Sequence, residues 1–317
     1  MRASRFPIPL FCLFFVLSLS SEGATKKKSA ATGHTPHAAS KPASKPASKA
    51  APATVPTKKE AVEDDDDLDL AAKGAIVVDA LSGKPLYQKN CDSRFYPAST
   101  TKIMTGLLVI EAGHLDATVE ITAEDAKVGE SSLNIHAGET FTRRQMLYGL
   151  LLKSANDVAA ALGRDNCGSI EAFALKMTER ARELGCTNTQ FTNPHGLHNA
   201  AHFTTPRDLA IITRAAMNQP MFRQIVGTKQ ARWEAPSGQR VLTNHNRLLD
   251  RFQGCNGVKT GYTIPAQQVL ASSAYRSGRE AIAVVMHTDK PGIWEDSAKL
   301  LEFGLSHSAE EPPVAGR

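Results

Sequence analysis

The segment YPASTTKIMT, residues 96–105, sets a serine and a lysine three positions apart at the head of an apolar run. Ile103, Met104, Leu107, Leu108 and Ile110 are apolar and Gly113 offers a stop, so residues 99–112 are expected to form a buried helix. Positions three apart share a helix face. Ser99 and Lys102 would then meet at the N-terminal mouth, where free N–H groups and the helix dipole favour a developing anion. Two readings are open. Ser99 caps the helix while Lys102 reaches solvent, or Ser99 is a nucleophile and Lys102 its base. The second needs a lysine whose pKa is lowered by burial or by a neighbouring cation. A Ser with a Lys at +3 is expected by chance about once in a chain this long, so the pair alone favours the cap.

The surrounding pattern gives this segment a setting. Before it, residues 73–90 read as a hairpin, with Ala75 to Val78 as one strand, Ser82-Gly83 as the turn and Pro85 to Gln88 as the return. After it, residues 141–164 give one or two helices broken near Ser154. Residues 170–185 give an amphipathic helix with a Gly stop, and 204–218 another with Thr204 or Thr205 as cap and Pro206 in its first turn. Residues 267–288 form a second hairpin around Ser277-Gly278, and residues 291–305 a closing helix. Strands at both ends and helices between them imply an α+β domain. Its antiparallel sheet joins N- and C-terminal strands, flanked by helices, with a mainly helical central region.

Two further elements bear chemistry. GVKTGYT, residues 257–263, joins a cation, a hydroxyl and a glycine in one strand-like run. Lys259 and Thr260 can hold a carboxylate, and Gly261 lets a ligand backbone come close. Ser-x-Asn occurs as Ser132-Leu133-Asn134 and as Ser154-Ala155-Asn156. The second lies between two buried helical runs and can project a hydroxyl and an amide into a cleft. Ser154 and Asn156 are therefore chosen, with Ser132 as the lesser candidate.

The N-terminal part is of another kind. Residues 1–21 carry Arg2 and Arg5, an apolar run and then small residues, the pattern of an export signal. Residues 22–70 are expected to be a disordered linker, rich in Lys, Ala and Pro and then acidic, with eight lysines against eight acids. The lysine-rich tether could touch an anionic wall or membrane; a solvated spacer is the simpler reading. The chain's net charge is +5, and about +3 of it falls on residues 71–317 without clustering, which argues against nucleic acid. Cys91, Cys167, Cys186 and Cys255 form no C-x-x-C pair, so zinc and dithiol chemistry are not indicated, and no disulfide pairing is favoured. The catalytic domain is expected over residues 71–308, with a flexible tail at 309–317.

SxxK, SxN and KTG, in this order, resemble the set of penicillin-binding proteins and serine β-lactamases. YPASTTKIMT, YGLLLKSANDVAAAL, NTQFTNPHGLHNAAHFTTPRDLA, TNHNRLL and GVKTGYT together resemble the D-alanyl-D-alanine carboxypeptidases among the low-molecular-mass penicillin-binding proteins, from about residue 71 to 305. The resemblance implies a β-lactamase/transpeptidase-like fold. It also implies an exported envelope or periplasmic enzyme of bacteria, and removal of the last D-alanine from peptidoglycan stem peptides. β-Lactam antibiotics would be covalent inhibitors, and neither metal nor cofactor would be needed. It makes Ser99 the nucleophile, Lys102 its general base and Ser154 the proton relay to the leaving amine. Asn156 would bind the substrate amide or steady Lys102. Lys259 and Thr260, beside Gly261, would take the terminal carboxylate. The backbone N–H groups of Ser99 and Tyr262 would form the oxyanion hole. His195 and Asp208 match positions kept near the site and are read here as structural.

Three departures stand out. VVMHTDK lacks the Arg that some relatives use for the carboxylate, leaving His287, Thr288 or Lys290 to compensate. Gln267 and Gln268 replace a Gly and an aromatic. The chain also ends soon after the closing helix, without the β-rich C-terminal domain and anchoring helix of larger carboxypeptidases. The alternatives are a DD-endopeptidase acting on cross-links, a β-lactamase, for which no Glu motif is found, and a non-catalytic wall-binding module.

Overall fold

The computed structural model describes residues 68–309. The export signal, most of the linker, and the tail beyond Ala309 lie outside the described residues. In chain order the elements are β1 (Gly74–Asp79), β2 (Pro85–Lys89), a 3-10 turn (Ala98–Thr101), α1 (Lys102–Glu111), β3 (Thr118–Glu120), α2 (Ala123–Ala126) and β4 (Thr140–Thr142). Then come α3 (Arg143–Leu152), α4 (Asn156–Cys167), α5 (Ile170–Glu183), α6 (Pro206–Met217), α7 (Pro220–Gly227), β5 (Gln230–Ala235), β6 (Gly238–Thr243) and α8 (Leu248–Arg251). β7 (Cys255–Thr263), β8 (Gln267–Arg276), β9 (Arg279–Thr288) and α9 (Gly292–His307) complete the chain.

The main sheet runs β2-β1-β9-β8-β7, every pair antiparallel, so the N-terminal hairpin and the last three strands form one layer. Side chains alternate between its faces, as strand geometry requires. Ile76, Val78, Val269, Ile282, Val284 and Met286 enter a large core shared with α1 and the central helices. Ala75, Val77, Leu270, Ala283 and Val285 meet Leu300, Leu301 and Leu305 of α9 on the other face. Gly304 permits that contact, because a Cβ there would lie 2.6 Å from Val77 Cγ2 and 2.7 Å from the Ala281 methyl. This is the α+β layout expected from the sequence.

Some boundaries move. The helix expected over 99–112 starts as the 3-10 turn, and the α-helix begins only at Lys102. The packed body begins before residue 71. Leu70 is buried, its carbonyl accepts from Lys89 Nζ at 2.6 Å, and Asp69's carbonyl accepts from Lys299. α1 is buried from Lys102 to Val109, as expected of the central helix of a core. α3 starts with a capping box between Thr142 and Gln145, and Thr205 rather than Thr204 caps α6 ahead of Pro206. Between α3 and α4 the chain turns sharply at Ser154, whose φ is 61°. All four cysteines among the described residues are free thiols.

Candidate active site

The 3-10 turn holds Ser99 at the edge of the sheet beside β7. The approach depends on one glycine. A Cβ at Gly261 would fall 2.9 Å from the Ser99 backbone nitrogen and 3.1 Å from the Pro97 carbonyl oxygen. From the other side the loop 193–197 presses on the same turn, and a Cβ at Gly196 would fall 1.9 Å from the Ala98 carbonyl oxygen. The nucleophile candidate is thus gripped between a strand and a loop from distant parts of the chain. Neither the 3-10 turn nor α1 has a side-chain cap hydrogen bond at its N-terminus, so Ser99 does not serve as a cap.

Lys102 does not reach solvent; its side chain is fully buried. Nζ lies 2.7 Å from Asn156 Oδ1, 2.6 Å from the His195 carbonyl oxygen and 3.0 Å from Ser99 Oγ. Two of these neighbours can only accept. In a neutral amine they take both N–H protons, which leaves the lone pair facing the Ser99 hydroxyl. Desolvation first, and then the charge of Lys259, push the Lys102 pKa well below 10.5, against a smaller pull from Asp157 and Glu130. The geometry and the electrostatics therefore favour the same protonation state.

Lys259 is also buried, with Nζ donating to the Thr260 carbonyl at 2.8 Å. Desolvation lowers its pKa to about 7. A small cleft of about 190 Å³ opens over Ser99 and is lined by Ser154, Thr260, Gly261, Tyr262 and Gln268, together with Ser131 and His245. Ser154 is 5% exposed and its Oγ has no hydrogen-bond partner, a rare state for a buried hydroxyl. Lining the cleft, it is placed to meet a ligand or a water there. Tyr262 also lines the cleft and is 55% exposed.

Asn156, read from the sequence as binding the substrate amide or steadying Lys102, has protein partners at both ends of its amide. Its Oδ1 accepts from Lys102, and its Nδ2 donates to the Gly129 carbonyl at 3.0 Å. These contacts fit the second of the two roles, a hold on Lys102. Ser132 is also committed elsewhere, donating to Asp157 at 2.5 Å.

His195 contributes its backbone to Lys102, while its ring Nδ1 accepts from Leu197 N–H at 3.2 Å. Desolvation, then Lys102 and His202, lower its pKa to about 3, which keeps the ring neutral. His202 bridges Thr101 Oγ1 at 2.8 Å to the Thr192 backbone. Asp208 accepts from Asn188 N–H and from Thr189 Oγ1, both at 2.8 Å, and so pins the chain leading into this loop. The sequence reading missed Ser131 and His245. His245 stands in the TNHNRLL motif, to which the sequence assigns no role. Desolvation by the cleft walls, then Lys259, Lys153 and Lys102, lower its pKa to about 4.

The family model described as D-alanyl-D-alanine carboxypeptidase matches residues 58–290. The chain is 36% identical over 248 residues to D-alanyl-D-alanine carboxypeptidase DacF of Bacillus subtilis, a match that takes in 76% of this chain and 64% of that relative. It is 33% identical over 237 residues to D-alanyl-D-alanine carboxypeptidase DacB2 of Mycobacterium tuberculosis, over 73% of this chain and 81% of that one. The crystal structure of the Streptomyces K15 DD-transpeptidase superposes with a TM-score of 0.72 at 33% identity, covering 75% of this chain and 98% of the other. The chain spans about two thirds of the first relative's length and most of the other two. By sequence, by fold and by the order of its motifs, the chain belongs to the D-alanyl-D-alanine carboxypeptidase family.

Proposed function

We propose that the protein is an exported serine-type D-alanyl-D-alanine carboxypeptidase of the bacterial envelope, acting on peptidoglycan stem peptides and acylated by penicillins. The observation that carries this reading is the buried Lys102 amine 3.0 Å from Ser99 Oγ, with its two donor positions occupied by Asn156 and His195. Lys102 takes the Ser99 proton as Oγ attacks the carbonyl of the penultimate D-alanine. The backbone N–H groups of Ser99 and Tyr262 hold the oxyanion; one such donor is typically worth about 10²–10³ in rate. Ser154 passes a proton to the leaving nitrogen, the C–N bond breaks, and free D-alanine departs. Lys259 and Thr260 hold the carboxylate of that leaving residue. Water then attacks the acyl-enzyme and releases the shortened peptide and Ser99. The export signal read in residues 1–21 fits this setting.

The test is intact-mass analysis of the protein with benzylpenicillin, run beside Ser99→Ala, together with D-alanine release from a pentapeptide. The expected result is a lasting adduct on the wild type alone and D-alanine release by the wild type alone. An adduct of equal size on Ser99→Ala overturns the assignment of the nucleophile. Penicillin consumed without a lasting adduct makes the protein a β-lactamase. Cleavage of cross-linked dimers in preference to pentapeptides makes it an endopeptidase.

A further inference from the structure

A second cavity, of about 510 Å³, is much larger than the cleft over Ser99 and shares none of its lining residues. It lies past the end of β7, where Pro265 of the β7–β8 turn and His287 at the end of β9 meet Phe95 and Tyr96, just before the 3-10 turn. Its walls combine aromatic rings with two cations, Lys73 and Arg94, and none of its lining residues is acidic.

The cations are not consumed by the fold. Lys73 Nζ has no ion pair or hydrogen bond among the described residues. Arg94 stacks its guanidinium 4.4 Å from the centre of the Phe203 ring and gives one nitrogen to Asn188 Oδ1 at 3.1 Å. Stacking fixes the plane of the group and leaves most of its five N–H donors free. His287 adds a ring whose pKa burial and Lys73 lower, so it stands there as a neutral donor or acceptor.

The direction of the substrate follows from the proposed function, on which this inference rests. With the leaving carboxylate at Lys259 and Thr260, and the reacting carbonyl between Ser99 and Tyr262, the acyl chain runs on past Tyr262 toward the 264–266 turn. That path leads to the second cavity. We propose that the cavity is a subsite for the acyl part of the stem peptide, in which Lys73 and Arg94 receive a carboxylate located upstream of the scissile bond. Phe95, Tyr96 and Phe203 supply the apolar wall for the carbon chain that carries it. The cavity's volume is that of a ligand pocket and holds a whole side chain.

Two pairs of peptides test this. In one pair, L-alanyl-γ-D-glutamyl-L-lysyl-D-alanyl-D-alanine is compared with its analogue amidated at the glutamyl α-carboxylate. In the other, meso-diaminopimelate at the third position is compared with its form amidated at the side-chain carboxylate. Each pair differs by one charge, so the arms locate the carboxylate. In at least one pair the free acid is expected to be preferred about two- to fivefold in kcat/KM, the range for ion pairs at a partly exposed site. In the double variant Lys73→Gln, Arg94→Gln that ratio falls to about one. The same ratio is read as relative affinity on Ser99→Ala protein by ligand-observed NMR, where no hydrolysis is needed. Loss of D-alanine release with the binding preference intact sinks the enzymatic reading and leaves the subsite standing. No preference in either pair, or a preference unchanged in the double variant, overturns the subsite.

Discussion

The chain contains Ser-x-Asn twice, and the fold uses the two copies in opposite ways. Ser132-Leu133-Asn134 lies in the loop before β4, and its hydroxyl donates to Asp157 at 2.5 Å while accepting from the Asn134 backbone at 2.8 Å. Ser154-Ala155-Asn156 forms the break between α3 and α4, and its hydroxyl is buried with no partner. One serine is satisfied by its neighbours; the other has no partner among the protein's own groups. The pattern alone does not separate them. What separates them is whether the protein has already used the hydroxyl.

The two segments are also joined. Asp157 follows Asn156, is fully buried, and accepts from Ser132 Oγ and from the backbone N–H groups of Leu133 and Ile135. Asn156 N–H donates to the Ser131 carbonyl at 2.6 Å. The first Ser-x-Asn thus acts as a brace for the second. A buried carboxylate with this many donors is costly to disturb, because each donor left unmatched loses its hydration without compensation.

The largest effect that breaks the comparison is expected at Ser154. Ser154→Ala removes the proposed proton relay and should slow acylation by a peptide substrate by about 10²–10³-fold, within the range for general acid–base groups. Its melting temperature should hold or rise, because the alanine deletes an unsatisfied hydroxyl. A stopped-flow acylation assay with a parallel thermal melt checks both; a stability loss with normal acylation would make Ser154 a structural residue.

Asp157→Asn comes next. It replaces an acceptor by an amide facing backbone donors, and should cost about 2–3 kcal/mol, or roughly 4–12 °C in Tm for a domain of this size. It also carries a pH signature. In the proposed mechanism the free amine of Lys102 is the active form, so acylation rises as pH passes its pKa. Asp157 pulls that pKa upward, so removing its charge lowers the pKa further. The acidic limb of the acylation profile should therefore move to lower pH. Movement to higher pH would mean that the lysine responds to rearrangement and not to charge.

The contrast between the two serines also shows where sequence suffices. Strand alternation in β1, β8 and β9 and the helical spacing of α1, α5 and α6 reflect burial on one or two faces, a local pattern that survives translation into structure. KTG packs its chemistry into adjacent positions, whereas the Ser99–Lys102 pair alone favoured a helix cap and gained its reading only beside KTG and Ser-x-Asn. The β5–β6 hairpin was not read, since its strands, QARWEA and GQRVLT, are largely exposed and anchored mainly by Trp233 and Leu242. The role of Asn156 stayed open because its partners, Lys102 and Gly129, lie 54 and 27 residues away. His245 and Ser131 join the cleft by contacts that no local spacing announces. Gly261 and Gly196 were visible as glycines, but their crowding against the Ser99 turn exists only once the loop and strand have come together.

The smallest effect is the sharpest discriminator. Ser132→Ala removes one hydrogen bond to Asp157, which keeps the Leu133 and Ile135 donors, so the carboxylate is not left bare. The loss should be about 1 kcal/mol or slightly more, since the acceptor is charged. Acylation by benzylpenicillin should stay within about twofold of wild type, because no atom of Ser132 lines the cleft. Denaturant unfolding and acylation kinetics on the same preparation measure both quantities. If Ser132→Ala slowed acylation as far as Ser154→Ala, the brace would be part of the reacting set, and the two copies of the motif would work as one.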